Sequence, residues 1–112
     1  MLVYKILRSD EWNAFQAAGE TSGAPIDLQD RFIHFSTAHQ AAETAAKHFA
    51  GANGLRLLAC GSDGFGKALK WEPSRGGDLF PHLYAHLKIT DVQWTKPLPY
   101  IDGQHQFPKD MT

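Results

Sequence analysis

The stretch "FIHFST", residues 32–37, decides the fold. Phe32, Ile33 and Phe35 give it the character of a strand, yet His34, Ser36 and Thr37 crowd its end. Alternation along a strand assigns Ile33 and Phe35 to one face, and Phe32, His34 and Ser36 to the other. Thr37 and Gln40 then match the S/T-x-x-E/Q capping box that opens a helix. A strand end here meets a helix N-terminus, whose free N–H groups and positive dipole end favour a phosphate or carboxylate. Residues 36–40 are therefore the expected anion seat; the plain alternative is that Ser36 or Thr37 satisfies those donors as a cap, and both hold where one hydroxyl caps and the other is left free.

Working outward, "TAHQAAETAAKHFA" (37–50) reads as the main helix, with Ala38, Ala41, Ala42, Ala45 and Phe49 along one stripe. A stripe made mostly of alanine lets a helix approach a sheet closely, and Gly51 ends it. Upstream, "LVYKIL" (2–7) is a first strand. Ser9 caps a short helix that carries Asp10 and Glu11 in its first turn, turns Trp12 and Phe15 to the core and stops at Gly19. Residues 20–30 read as a loop with a turn of helix at "DLQD" (27–30). Downstream come the strands "LRLLAC" (55–60), "ALKWE" (68–72), "FPHLYAHL" (80–87) and "DVQWTKPL" (91–98). Helices early and strands late predict an α+β domain over residues 1–98. The polar stretch 99–112 reads as an exposed C-terminal extension.

The totals narrow the function classes. A chain of 112 residues is one domain, and 43% hydrophobic with 21% charged residues is a globular composition. Net charge is −1 with scattered lysines and arginines, so neither a nucleic-acid footprint nor a membrane-seeking face is expected. The single cysteine, Cys60, lies in an apolar run and suits a reducing compartment. The N-terminus turns charged too soon for a signal peptide or a membrane span, so the expectation is a cytoplasmic protein, monomeric rather than assembled.

Three chemical motifs fall short. "GSDGFGKA" (61–68) matches the phosphate-loop spacing G-x-x-x-x-G-K, but Ala68 stands where a hydroxyl must hold magnesium, which leaves a glycine-rich turn. His82 and His86 are four apart, but on a strand that is about 13 Å, too far for one ion, so no metal is expected. Cys60 has no histidine near it in sequence and reads as inert. What remains is a set of faces: His34 with Ser36, His82 with Tyr84, and Lys70 with Glu72. Imidazole, carboxylate and phenol are the usual parts for acid–base work. The plain alternative is the solvated side of an antiparallel sheet. Phe32 and Phe80 on those same faces argue for a partly buried cleft instead.

"VYKI", "RFIHFSTAHQ", "LKWE" and "LFPHLYAHL" followed by "DV" resemble, in order and spacing, the domain-of-unknown-function 952 family over residues 2–98. The resemblance implies a compact ADP-ribosyltransferase-like split β-sheet of about six strands, mostly antiparallel, with two main helices. Members of that superfamily bind NAD in a cleft between two small sheets. A more distant likeness is to the NAD-dependent RNA 2′-phosphotransferases, which carry a similar histidine–apolar–serine strand end. On this basis the catalytic candidates are His34, Glu72 and His82, and the ligand-binding candidates Tyr4, Lys5, Ser36, Thr37 and Tyr84. Lys5 and the helix N-terminus would hold the anion. His34 or Glu72 would steady the charge that develops on the ribose as nicotinamide leaves, or activate the acceptor. NAD enters as a substrate, the expected partner is a small-molecule nucleotide, and an RNA end is the one nucleic acid this leaves room for. The alternative is a non-catalytic ligand-sensing or interaction module, favoured by Lys5 where the family usually has histidine.

Overall fold

The first strand, β1 (Leu2–Leu7), is followed by helix α1 (Ser9–Ala18), the short strand β2 (Glu20–Thr21), helix α2 (Pro25–Asp30) and strand β3 (Ile33–His34). Helix α3 (Ala38–His48) leads to β4 (Leu55–Gly61), β5 (Leu69–Pro73), β6 (Leu79–Leu83), β7 (Leu87–Lys88) and β8 (Val92–Leu98). A hairpin of β9 (Tyr100–Ile101) and β10 (Gln104–His105) closes the chain. This structure is a computed structural model that describes residues 1–111; Thr112 lies outside the described residues.

Two three-stranded antiparallel sheets organise the domain, in the orders β1-β4-β8 and β3-β6-β5. Among the described residues their backbones pair through one isolated antiparallel bridge, between Tyr4 and Ser36, with N···O distances of 2.7 and 2.9 Å. Beyond that bridge β1 and β3 part, and the split between them is the structural fact on which the site depends. The first sheet is buried on both faces, which is why "LRLLAC" is almost wholly apolar. Val3, Leu7, Leu58 and Cys60 pack with Phe15, Ile33 and Phe35 on one side. Tyr4, Ile6, Leu57 and Ala59 pack with Ala45 on the other. Burial, with a smaller push from Asp91, raises the Cys60 thiol to about 12, in keeping with an inert core residue. The radius of gyration, 13.1 Å, is that of one compact domain of this length.

Several expectations need correction. "FPHLYAHL" is two strands: the chain leaves β6 after Leu83 and re-pairs at Leu87 with β2, in the segment read as loop. "DLQD" belongs to a full helix, α2, with Pro25 in its first turn. Ser9 is the first helical residue of α1, and Arg8 is the cap, its N–H donating to the Glu11 carboxylate at 2.9 Å. On α3, Ala42 is exposed; the inward face runs through Ala41 and Ala45. The C-terminal stretch folds back, with Phe107 and Met111 against the second core cluster and His105 Nε2 bonded to the Ala52 carbonyl at 2.9 Å. The glycine-rich turn read in "GSDGFGKA" is as expected, a 3-10 segment (Ser62–Ala68) between β4 and β5 whose Phe65 packs on Phe35. No helix among the described residues is long and apolar enough to cross a membrane.

Candidate functional site

A cleft of about 740 Å³ opens where β1 and β3 part. Continued pairing from Tyr4–Ser36 would set Ile6 opposite His34; instead α2 enters the gap, and the side chain of Lys5 reaches across to the His34 carbonyl at 3.0 Å. Lys5, Arg8, His34, His48 and His82 all line the cleft, against the acids Asp10, Glu11 and Asp30. Its volume falls in the range of small-molecule sites, about 300–1,000 Å³.

Asp27 organises this wall. It is 1% exposed. One oxygen, Oδ1, accepts the His34 backbone N–H at 3.0 Å and faces His34 Nδ1 at 2.6 Å. The other, Oδ2, accepts the Ala24 N–H at the start of α2 and pairs with Lys5 Nζ, both at 2.7 Å. Burial alone would raise this carboxyl, but the bond from His34 and the charge of Lys5 outweigh it and bring it down to about 2. Gly23, at φ +107°, lets the chain pass this carboxylate: a Cβ there would meet the Asp27 side chain at 2.4 Å.

His34 is held at both ring nitrogens, Nδ1 by Asp27 and Nε2 by Asp30 at 3.0 Å. Ser36 faces the cleft with its hydroxyl 2.9 Å from Thr44 Oγ1. On the far strand pair, Glu72 Oε1 lies 2.9 Å from His82 Nδ1 and accepts the Tyr84 hydroxyl at 2.7 Å. Those bonds, Tyr84 first and His82 second, hold the Glu72 carboxyl below its usual range, and the same carboxylate raises the Tyr84 phenol. Phe32 stacks on the His82 ring, with centroids 4.1 Å apart, and packs against His34 at 4.5 Å.

Tyr4, Lys5, His34, Ser36 and His82 thus line one cleft, whereas Thr37, Glu72 and Tyr84 are not among its lining residues. Glu72 and Tyr84 reach it only through His82. Of the N–H groups at residues 36–40, three are bonded within the protein: Ser36 N–H goes to the Tyr4 carbonyl, Thr37 N–H to the Gln40 side chain, and Gln40 N–H to Thr37. Thr37 is the capping hydroxyl of α3. The ammonium of Lys5 is likewise engaged by Asp27.

Asp27, Asp30, Arg8, Thr44 and His48 escaped the sequence reading. For Asp27 a signal existed: "APIDLQD" puts Pro at N1 and an acid at N3, a helix start rather than a loop. His48 lies four residues after Thr44 and seven after Ala41, so it shares their helical face.

Together these elements define a small α+β domain with a ligand-sized cleft in the split between two three-stranded sheets. The chain belongs to the family described as Protein of unknown function (DUF952), whose family model matches residues 6–95. It is 48% identical to protein CC0527 from Caulobacter crescentus, whose X-ray structure matches with a TM-score of 0.91 over 95% of this chain and 94% of that one. The solution NMR structure of CC0527 matches at 46% identity with a TM-score of 0.83, over 93% and 90% of the two chains. No curated protein matches.

Proposed function

We propose that the cleft binds a phosphate-bearing nucleotide, NAD or a close chemical relative, and that the domain performs ADP-ribosyl- or phosphotransferase-type chemistry on it. The observation that carries this reading is the convergence of Lys5, Arg8, His34, His48 and His82 on one cleft of about 740 Å³. Basic side chains around a partly apolar cavity of that size suit a ligand with charged phosphates and a flat base. Two three-stranded sheets that part from an isolated bridge support the reading of an ADP-ribosyltransferase-like split sheet. With Lys5 already paired to Asp27, Arg8 takes over the role of meeting the anion. Arg8 carries no ion pair with a carboxylate among the described residues and lies 4.9 Å over the Phe49 ring.

A specific observation also favours a non-catalytic ligand-sensing module. Lys5 is committed to Asp27, and His34 to two carboxylates, so part of the basic set serves the fold itself. Calorimetric titration with NAD, ADP-ribose and a 2′-phosphorylated nucleotide tests the binding reading, which expects a loss of affinity of tenfold or more in Arg8→Ala. Incubation with NAD then separates the two: released nicotinamide marks a transferase, and tight binding without release marks the module. Absence of binding by all three compounds at millimolar concentration would end both.

A further inference from the structure

The basic and nucleophilic groups of the cleft are nearly all spoken for. Lys5 is an ion pair, both nitrogens of His34 face carboxylates, and Ser36 is bonded to Thr44. His82 differs. Its side chain is 6% exposed and its Nδ1 is taken by Glu72, while Nε2 has no hydrogen-bond partner among the described residues. No fully buried side-chain nitrogen or oxygen in those residues lacks a partner, so an unpartnered Nε2 keeps some access to solvent, and His82 is one of the residues that line the cleft.

Its surroundings fix the ring from three sides. Glu72 is diagonal to His82 across the β5–β6 pair, where Lys70 is opposite His82 and Glu72 opposite Phe80. The Tyr84 hydroxyl donates to the same carboxylate oxygen and so orients it. Phe32 covers the ring face at an interplanar angle of 28°. The titratable and charged groups around it are Glu72 from β5, Tyr84 just beyond β6, and the His34 ring from β3 at 5.4 Å; the ammonium of Lys70 sits over the Tyr84 ring at 4.8 Å. An ionised Glu72 can only accept, so in the neutral ring Nδ1 carries the proton and Nε2 presents a lone pair.

We propose that His82 is the proton-transfer residue of the cleft, a general base toward a hydroxyl of the bound reactants, with Glu72 and Tyr84 as positioning residues. This rests on the reading of the cleft as a ligand site. In the step, the hydroxyl proton passes to the Nε2 lone pair while its oxygen keeps the O–H electron pair and forms the new bond to the nucleotide. The group displaced leaves with the pair of the bond that breaks. Glu72 stabilises the imidazolium so formed, which returns its proton to the leaving group or to water.

Long-range ¹H–¹⁵N correlation spectra of histidine-labelled full-length protein, taken where the His82 ring is neutral, test this. The free protein should show the Nδ1–H tautomer at His82, and Glu72→Gln should relax it toward Nε2–H. Added ADP-ribose should shift the Nε2 resonance. An Nε2–H tautomer in the free protein overturns the proposal with no ligand involved, and so does a tautomer indifferent to Glu72→Gln. Shifts at Ser36 and Lys5 with none at His82 Nε2 overturn the role of His82 while sparing the cleft. Silence throughout the cleft overturns both.

Discussion

Asp27 and Lys5 form an ion pair of 2.7 Å whose side chains are 0% and 7% exposed, set beneath the floor of the cleft. Through it three elements meet: β1 by Lys5, β3 by the backbone and ring of His34, and α2 by the N–H of Ala24. The pair fixes the shape of the split between the sheets. It also explains why a lysine is tolerated on a face of β1 otherwise occupied by Val3 and Leu7.

Removing one charge strands the other. Asp27→Asn is expected to lower the unfolding free energy by about 3 kcal/mol, measured by urea denaturation at neutral pH. Lys5→Met combined with Asp27→Asn should cost less than the sum of the two single changes. Strict additivity would mean that the two side chains do not interact.

Acid should act through the same carboxylate. Its folded pKa, about 2, lies below its ordinary value of 3.8, so its contribution is complete above the ordinary value and fades as pH falls from there toward 2. That contribution is on the order of 2 kcal/mol. Unfolding curves between pH 5 and pH 2 should therefore fall less steeply for Asp27→Asn than for the parent (a range of about three pH units that brackets the titration). Parallel curves would contradict the assignment.

Thr37 accepts the Gln40 N–H at 3.2 Å as the cap of α3 and does not line the cleft. Thr37→Ala should cost about 1 kcal/mol of stability and leave ADP-ribose affinity unchanged. A selective loss of affinity, with stability intact, would restore Thr37 as a ligand-binding residue.

Asp30 is the exposed partner of His34 Nε2 and lines the cleft. An anionic ligand must compete with it for the ring. Asp30→Asn is therefore expected to tighten ADP-ribose binding by about two- to fivefold, the scale of one partly exposed charge contact. Calorimetry reads this directly; weaker binding in the variant would mean that Asp30 meets the ligand itself.

The strand and helix that flank "FIHFST" were legible because period two and the capping box are local signals. Ile33 and Phe35 go to the core, His34 and Ser36 to the cleft, and Thr37 to the cap. Lys5, His34 and His82 come together although 29 and 48 residues separate them in order along the chain. Alternation identifies the faces of His34 and His82, whereas Lys5 shares its β1 face with the core residues Val3 and Leu7 and was legible only through the family resemblance. What stayed hidden is long-range pairing. Nothing local says that Leu87 leaves β6 for β2, or that Asp27 turns inward to neutralise Lys5. That a hydroxyl caps α3 was legible from the capping box, and the bonds between Thr37 and Gln40 identify it as Thr37.

The most direct test of the central claim is a ¹H–¹⁵N amide titration with ADP-ribose. The account predicts shifts at Lys5, Arg8, His34, Ser36, His48 and His82, which line the cleft, with Thr95 and Ile101 on the far strands unmoved. Spectra that stay unchanged to millimolar ligand, or shifts gathered away from the split between β1 and β3, would contradict it.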